Sequence, residues 1–199
     1  MIDLEKLKEV FGKTVKKNGM KVAVVGAGPA GLSCAHDLAL LGYDVTVFEA
    51  QSVAGGMLRL GIPEYRLPRE LIRLEVNGIL SLGVGLHLNS ALGRDFTLSD
   101  LSTQGYRAVF IAIGAHKSRD LRIEGVGLDG VLRAVDFLLN VNLGYRVELG
   151  NKVVVIGGGN VAIDVARTVA RQETIEVGHV TEVAEALDVA RSAVRFGAK

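Results

Sequence analysis

Residues 21–49 read KVAVVGAGPAGLSCAHDLALLGYDVTVFE, and their order decides the fold. A short apolar run, Val22 to Val25, meets Gly26-Ala27-Gly28-Pro29-Ala30-Gly31 at once. A helical pattern then runs to Leu41 and stops at Gly42. A second apolar run, Val45 to Phe48, ends on an acid, Glu49. Strand, glycine turn, helix, strand and acid follow one another as a dinucleotide-binding βαβ unit requires. Gly26 permits the tight turn out of the strand. Gly28 lets a diphosphate approach bare backbone, and Gly31 lets the helix pack against the strand. The helix N-terminus turns unpaired N–H groups and a partial positive charge towards the phosphates. Glu49 lies at about the 20-residue spacing expected after the turn and can accept hydrogen bonds from ribose hydroxyls. A glycine turn alone is weak support. With its strand, helix and acid in place, a turn without a ligand is the poorer reading.

The same pattern returns later. Lys152-Val-Val-Val-Ile156-Gly157-Gly158-Gly159-Asn160-Val161-Ala162 aligns with Lys21 onward, and alanine at the third glycine position is acceptable. Two turns in one chain point to two nucleotides, and so to electron transfer between them. The segment ETIEVGHVTEVAE that follows is polar, and Gly178 interrupts it. Beyond it, Ala186 to Arg195 echoes Ala162 to Arg171. An inserted or duplicated helical segment is expected here. No second strand with a ribose-reading residue is expected before Lys199, so the second nucleotide domain reads as incomplete.

Between the turns, residues 51–68 hold Gly55, Gly56, Gly61, Pro63 and Pro68, which argues against regular structure. A loop of this length in a compact domain is usually functional. Backbone at Gly55-Gly56 can approach a ligand closely. Arg59 and Arg66 are then available to phosphates or rings, the alternative being ordinary solvated arginines. The pattern predicts a helix over Arg69–Leu82, a short strand over Val84–Leu88 and a helix start at Thr97–Leu101. Ala108–Ile113 is expected as an apolar strand buried on both faces, closing on Gly114. Residues 115–150 read as a crossover with a helix through Ala134–Leu139. Ahead of everything, Ile2, Leu4, Leu7, Val10, Phe11 and Val15 recur at helical spacing, as either a packed helix or a connector.

Composition narrows the classes. The chain has 199 residues, 49% of them apolar, and a net charge of +1. That is enough for a sizeable core, and it gives no electrostatic case for nucleic acid or an anionic membrane. No apolar run reaches the length of a membrane span. The first residues are charged and lack the apolar core of a signal peptide. A single cysteine excludes an intrachain disulfide framework. A cytoplasmic location is expected. Cys34 has no CxxC partner and reads as a small packed thiol. His36, His87, His116 and His179 lack ligand spacing, so no metal is expected. Asp164, one turn into the second helix, is able to complement the helix dipole and need not be catalytic.

With these residues in view, the chain resembles the flavin-containing small subunit of glutamate synthase and the N-terminal flavin part of dihydropyrimidine dehydrogenase. The carrying motifs are VAVVGAGPAGLSCAHDLALLGYDVTVFEA, GGMLRLGIPEYRLPRELI, FIAIGAH and VVVIGGGNVAIDVART, spread over residues 20–171. The second is the diagnostic one, since generic dinucleotide folds lack it. The resemblance implies an α/β architecture: a Rossmann-like FAD-binding domain over residues 20–118, preceded by a connector at 1–19. A crossover at 119–150 then leads to the start of a Rossmann-like NAD(P)-binding domain at 151–199.

By motif, Gly26, Gly28, Ala30 and Gly31 would face the FAD diphosphate with Pro29 beside them. Glu49 would hold the adenosine ribose next to Ala50. Gly56 and Met57 would border the flavin, Arg66 would contact the cofactor, Leu92 would meet the adenine through its backbone, and Gly114 would pass beneath. Gly157, Gly159, Asn160, Val161 and Ala162 would line the phosphates of NAD(P)H. The implied activity is hydride transfer from NAD(P)H to FAD, with electrons passed to an iron–sulfur partner or a larger catalytic subunit; oligomerisation is compatible with it. No protein acid or base is named, because the cofactor makes the bonds. Relatives of this kind carry an N-terminal iron–sulfur module and a later segment that completes the FAD site, neither of which is found in this sequence. Two other readings remain open: a non-catalytic nucleotide-binding domain that acts only inside a larger complex, and a simple dehydrogenase using one turn.

Overall fold

The computed structural model describes residues 16–118 and 123–171, together with the backbone of residues 176–180. The helix expected over residues 2–15 and the echo at 186–195 lie outside the described residues. The chain divides into two compact units, one of residues 1–59 and 64–115, the other of residues 60–63 and 116–199.

The first unit is built on a four-stranded parallel sheet. Its elements are β1 (Lys21–Val25), α1 (Pro29–Leu40), β2 (Asp44–Phe48), α2 (Met57–Leu60), α3 (Arg69–Leu80), β3 (Gly85–His87), α4 (Leu98–Thr103) and β4 (Tyr106–Ile111). Arg59 is the last α2 residue in this unit, and Leu60 belongs to the second. The strand order is β3-β2-β1-β4. β1 runs in register with β2, Lys21 opposite Asp44 and Val25 opposite Phe48. As a central strand it is buried on both faces, which explains its unbroken apolar run. Its alternate residues feed two cores. Val24 joins Val45, Val47, Leu32, Ala35, Ile72 and Val76 on the face covered by α1 and α3. Ala23 and Val25 join Phe48 and Leu101 on the other. Each valine taken fully out of water contributes about 1.5–3 kcal/mol to this sandwich.

α4 starts as its sequence predicts: Thr97 accepts from the Asp100 N–H while Asp100 accepts from the Thr97 N–H, a complete capping box. The loop over residues 51–68 is mostly irregular, with one correction. Met57–Leu60 forms a single helical turn, closed as the Arg59 N–H donates to the Gly56 carbonyl at 3.0 Å.

β4 departs further from expectation. It begins two residues earlier and ends two earlier, and it is not buried on both faces. Tyr106 and Val109 pack against the Phe48 cluster, whereas Phe110 and Ile111 are 42% and 52% exposed. The strand lies at the edge of the sheet with β1 as its one neighbour among the described residues. Apolar composition reports a preference for burial; the covering elements decide whether it is met.

The second unit contains α5 (Ala134–Asn142), β5 (Lys152–Ile156), α6 (Asn160–Val169) and β6 (Glu176–Val180). Phe137 and Leu138 of α5, Val155 of β5 and Ala162, Val165 and Val169 of α6 form its core. The Asn142 Nδ2 donates to the Leu60 carbonyl at 2.8 Å and ties the 60–63 segment into this unit. β6 corrects the expectation of an irregular or helical insertion. It pairs parallel with β5, Lys152 opposite Glu176 and Ile156 opposite Val180. Ladder hydrogen bonds along β5 outweigh the weakening effect of Gly178. A strand therefore follows the second glycine turn, as β2 follows the first.

Candidate dinucleotide-binding sites

The first site grows out of the end of β1. The Gly26 N–H donates to the Phe48 carbonyl at 2.7 Å, and Gly26 adopts φ +110°, which a side chain would strain. A Cβ on Gly26 would also collide with the carbonyl oxygen of Ala112. A Cβ on Gly31 would collide with the carbonyl oxygen of Gly26 and crowd the Val24 Cγ1 at 3.2 Å. Both glycines are thus explained by the protein's own packing. Gly28 is not. Its φ of −79° suits any residue, and a Cβ there would meet only the Gly56 Cα, at an ordinary 3.9 Å. Nothing in the described chain requires glycine at 28, and the bare backbone there leaves a cradle that a side chain would fill.

That cradle sits at the start of α1. Gly28 is the N-cap, without a side-chain cap bond, Pro29 follows at the first helical position, and the first turn carries no acid. Pro29 and Ala30 are exposed and Gly31 is buried. An uncapped helix start of this kind favours an anion, through free N–H groups and the helix dipole. The residues present therefore suit a diphosphate.

Glu49 follows β2 and is 8% exposed. Its Oε2 accepts from the Ala27 N–H at 2.7 Å and its Oε1 from the Gln51 N–H at 2.8 Å. A carboxylate offers about four lone-pair sites, so acceptor capacity remains for ribose hydroxyls. Ala50 beside it is exposed. The glycine pair of the second motif is drawn to the turn: the Gly55 N–H donates to the Ala27 carbonyl at 2.8 Å. Gly56 lies against Gly28 so closely that a Cβ on Gly56 would come within 2.7 Å of the Gly28 Cα. Gly26, Gly28, Glu49, Gly56 and Met57 are therefore brought into one neighbourhood.

Other expected residues are placed less centrally. Arg66 is exposed. Leu92 packs beside Phe48 and bridges to Phe96, with Phe48 in turn stacked on His87 at 5.3 Å between ring centroids. Gly114 follows β4, exposed, at φ +72°. Three residues escaped the sequence. Ala27 and Gln51 supply the N–H groups that Glu49 binds, and backbone donors leave no trace in residue type. Arg69 ties the loop to α3, its Nη1 donating to the Leu58 carbonyl at 3.2 Å. Burial, then the Arg59 guanidinium, push the Arg69 guanidinium below its ordinary value, and Glu64 opposes them. The helix-initial cluster Arg66-Leu67-Pro68-Arg69 would have been the signal for it.

The second site repeats the construction in the second unit. Gly157 adopts φ +127° after β5, and a Cβ there would meet the Ala162 Cβ at 3.4 Å. Gly159 is the N-cap of α6 at φ −78°, nearly the geometry of Gly28, again without a side-chain cap and with no acid in the first turn. Asn160 and Val161 are exposed at the helix start, and Ala162 is buried behind them. Asp164 lies beyond the first turn and is 5% exposed, on the buried face of α6. No cluster of His, Cys, Asp and Glu suited to a metal occurs among the described residues. No helix among them is long and apolar enough to cross a membrane.

Comparison with known proteins follows this geometry. The model of the pyridine nucleotide-disulphide oxidoreductase family matches residues 20–195. The chain is 46% identical over 188 residues to the NADP(+)-dependent formate dehydrogenase subunit beta of Moorella thermoacetica, covering 87% of this chain and 26% of that protein. It is 46% identical over 157 residues to the NADPH-Fe(3+) oxidoreductase subunit beta of Geobacter sulfurreducens, covering 76% of this chain and 23% of that one. The NADPH glutamate synthase small chain of Azospirillum brasilense is 38% identical over 171 residues, covering 80% of this chain and 35% of the relative. The chain thus spans only a minor part of these proteins' lengths. Among solved structures, a 2-naphthoyl-CoA reductase complex aligns with TM-score 0.72 and 30% identity, covering 95% of this chain and 29% of that one. Mycobacterium tuberculosis FprA in complex with NADPH aligns with TM-score 0.68 and 28% identity, covering 77% of this chain and 37% of that one. Parallel sheet, paired glycine turns and sequence agree: the chain belongs to the pyridine nucleotide-disulphide oxidoreductase family.

Proposed function

We propose that this chain forms part of an NAD(P)H-dependent flavin oxidoreductase, with FAD in the first cradle and the nicotinamide nucleotide in the second. The carrying observation is Gly28: a glycine that packing does not require, at an uncapped helix start, with a buried acid one strand away. Held in the first cradle, FAD would supply the chemistry of hydride acceptance from NAD(P)H and of electron release to a partner's iron–sulfur centre. The chain's own residues bind and orient. Gly28 and the start of α1 receive the diphosphate, Glu49 the ribose, and the loop at Gly56 and Met57 borders the ring. Leu92 and Gly114 flank the adenine and the cofactor's underside, with Arg66 at the rim. Gly157, Gly159, Asn160, Val161 and Ala162 receive the second diphosphate. The domain limits follow: residues 20–118 for FAD, a crossover at 119–150, and the start of the nucleotide domain from 151.

The named relatives are subunits of NADPH-linked enzymes, which favours NADPH as donor and a larger catalytic partner. A cytoplasmic location accords with the single cysteine. The test is to purify the full-length protein, record its flavin spectrum, and add NADPH or NADH without oxygen. Bleaching of the flavin by NADPH is expected. A protein that takes up no FAD refutes the cofactor assignment; one that holds FAD but is bleached by neither nucleotide refutes the reductase assignment.

A second reading, a nucleotide-binding domain that works only inside a larger complex, is favoured by uncovered apolar side chains. Phe110, Ile111 and Ile113 are exposed in the first unit, and Val154, Ile156 and Val161 in the second. Full reductase activity in the isolated 199-residue chain would overturn it.

A further inference from the structure

We infer that Glu49 is a positioning residue that holds the phosphate turn and the flavin-bordering loop in their ligand-ready geometry, beyond any contact with ribose. This rests on the FAD assignment above. The carboxylate spends one oxygen on the Ala27 N–H and the other on the Gln51 N–H. Ala27 lies between Gly26 and Gly28, so the first bond fixes the turn itself. The Ala27 carbonyl then accepts from the Gly55 N–H at 2.8 Å, which brings Gly56 onto Gly28. One buried carboxylate therefore holds, through a single residue, two segments that sequence reads as separate motifs. Glu49 is itself fixed at both ends of its peptide: its N–H donates to the His87 carbonyl and its carbonyl accepts from the Ser90 N–H, each at 2.8 Å. The acid is braced against β3 while it braces the turn. The turn needs this support because a peptide N–H buried at Ala27, which is 0% exposed, has no water to bind.

The test uses the full-length protein with Glu49→Gln and Glu49→Asp, each read in two ways. The first readout is the affinity of the apoprotein for FAD and for an FAD analogue whose adenosine lacks the 2′ and 3′ hydroxyls. The second is amide hydrogen exchange at Ala27 and Gln51 in the apoprotein. A glutamine offers one oxygen, and its NH₂ would face a backbone donor. Glu49→Gln is expected to weaken both ligands about tenfold or more, the size of one charge-assisted hydrogen bond. It is also expected to speed exchange at Ala27. Aspartate is shorter by about 1.5 Å. It still reaches a donor two residues on, as in an Asx turn, but not Ala27. Glu49→Asp is thus expected to keep Gln51 protected while Ala27 exchanges, a split that general loosening of the fold would not produce.

A penalty that vanishes for the dideoxy analogue, with unchanged exchange at Ala27, would overturn the inference and leave Glu49 a ribose ligand only. If Glu49→Gln fails to fold, the Glu49→Asp split decides. If the wild type takes up neither ligand, the FAD assignment fails, and the exchange readout still decides the role of Glu49.

Discussion

Substituting Gly28 and Gly31 by alanine separates a glycine kept for a ligand from one kept for packing. Gly31→Ala places a Cβ into the Gly26 carbonyl oxygen, a contact with backbone that no rotamer can relieve, and crowds Val24 at 3.2 Å as well. Helix α1 must then move off β1, through a core of Val24, Leu32 and Ala35 that is already closed. Overpacking of that kind costs about 1–3 kcal/mol, and more where the obstacle is backbone. Gly28→Ala meets only the Gly56 Cα at 3.9 Å. Its φ of −79° and ψ of −178° are open to alanine, so the smaller entropy of the unfolded chain stabilises by about 0.4–1 kcal/mol. Alanine is the poorer N-cap by a comparable amount, and the two cancel to within about 0.5 kcal/mol.

The ligand sees the opposite order of effects at position 28. With FAD placed as proposed, a Cβ there would take the space of a diphosphate oxygen, and a clash of overpacking size, about 1–3 kcal/mol, corresponds to roughly a 10- to 100-fold loss of FAD affinity. Urea unfolding of the apoproteins measures the first quantity and flavin fluorescence titration the second. Expected are a normal midpoint with weak FAD binding for Gly28→Ala, and a lowered midpoint for Gly31→Ala. A Gly28→Ala protein that unfolds as easily as Gly31→Ala, or that binds FAD as tightly as the wild type, refutes the division.

Gly56→Ala combines a 2.7 Å contact on the Gly28 Cα with a φ of +54°, and should lose about 1–2 kcal/mol of stability together with FAD affinity, measured by the same two methods. In the second unit, Asn160→Asp puts a negative charge at the start of α6 and should weaken NADPH binding about 3- to 10-fold in a fluorescence titration, without changing FAD uptake. Burial, then Asp37, push the Cys34 thiol above its ordinary value, so Cys34 should alkylate slowly at neutral pH and Cys34→Ala should leave flavin reduction unchanged in stopped flow. Asp100 is held below its ordinary value by Thr97, through side chain and then backbone, while slight desolvation opposes. Its contribution is complete above the unfolded value of about 3.9 and is lost as pH falls through the lower folded value. Exchange of the first-turn amides of α4 should therefore quicken below about pH 4, and should be fast at neutral pH already in Asp100→Asn.

What was legible in the sequence was whatever a single local cause dictates. β1, α1 and β2 were read to within a residue or two, because a buried central strand must be apolar throughout and a helix must stop near Gly42. The helix start at Thr97–Leu101 is legible for the same reason, since Thr97 and Asp100 cap α4 between themselves. β4 and β6 were misjudged because their environment is made elsewhere in the chain. β4 is apolar and was assigned two covered faces, yet it is an edge strand with Phe110 and Ile111 uncovered. β6 carries a glycine and polar neighbours and was read as an interruption, yet the ladder offered by β5 recruits it.

At the site, the letter G hides two different demands. Gly26, Gly28 and Gly31 look alike as a motif, although the sequence gives them three tasks: a tight turn, a close approach by a diphosphate and a packing contact. The contacts divide it: two of the three would be glycine in a protein that never met a ligand, because the Ala112 and Gly26 carbonyl oxygens fill the space their side chains would need. A glycine turn can therefore persist for packing alone, and the informative glycine is the one with room around it. Glu49 behaves in the converse way. The sequence reads it as a residue for a ligand, and in the structure one of its oxygens also serves the turn at Ala27 and the other the following loop at Gln51. On the proposed assignment, the recognition of ribose and the shape of the phosphate cradle would not vary independently, since a substitution of Glu49 that removes the ribose contact also releases the Ala27 N–H.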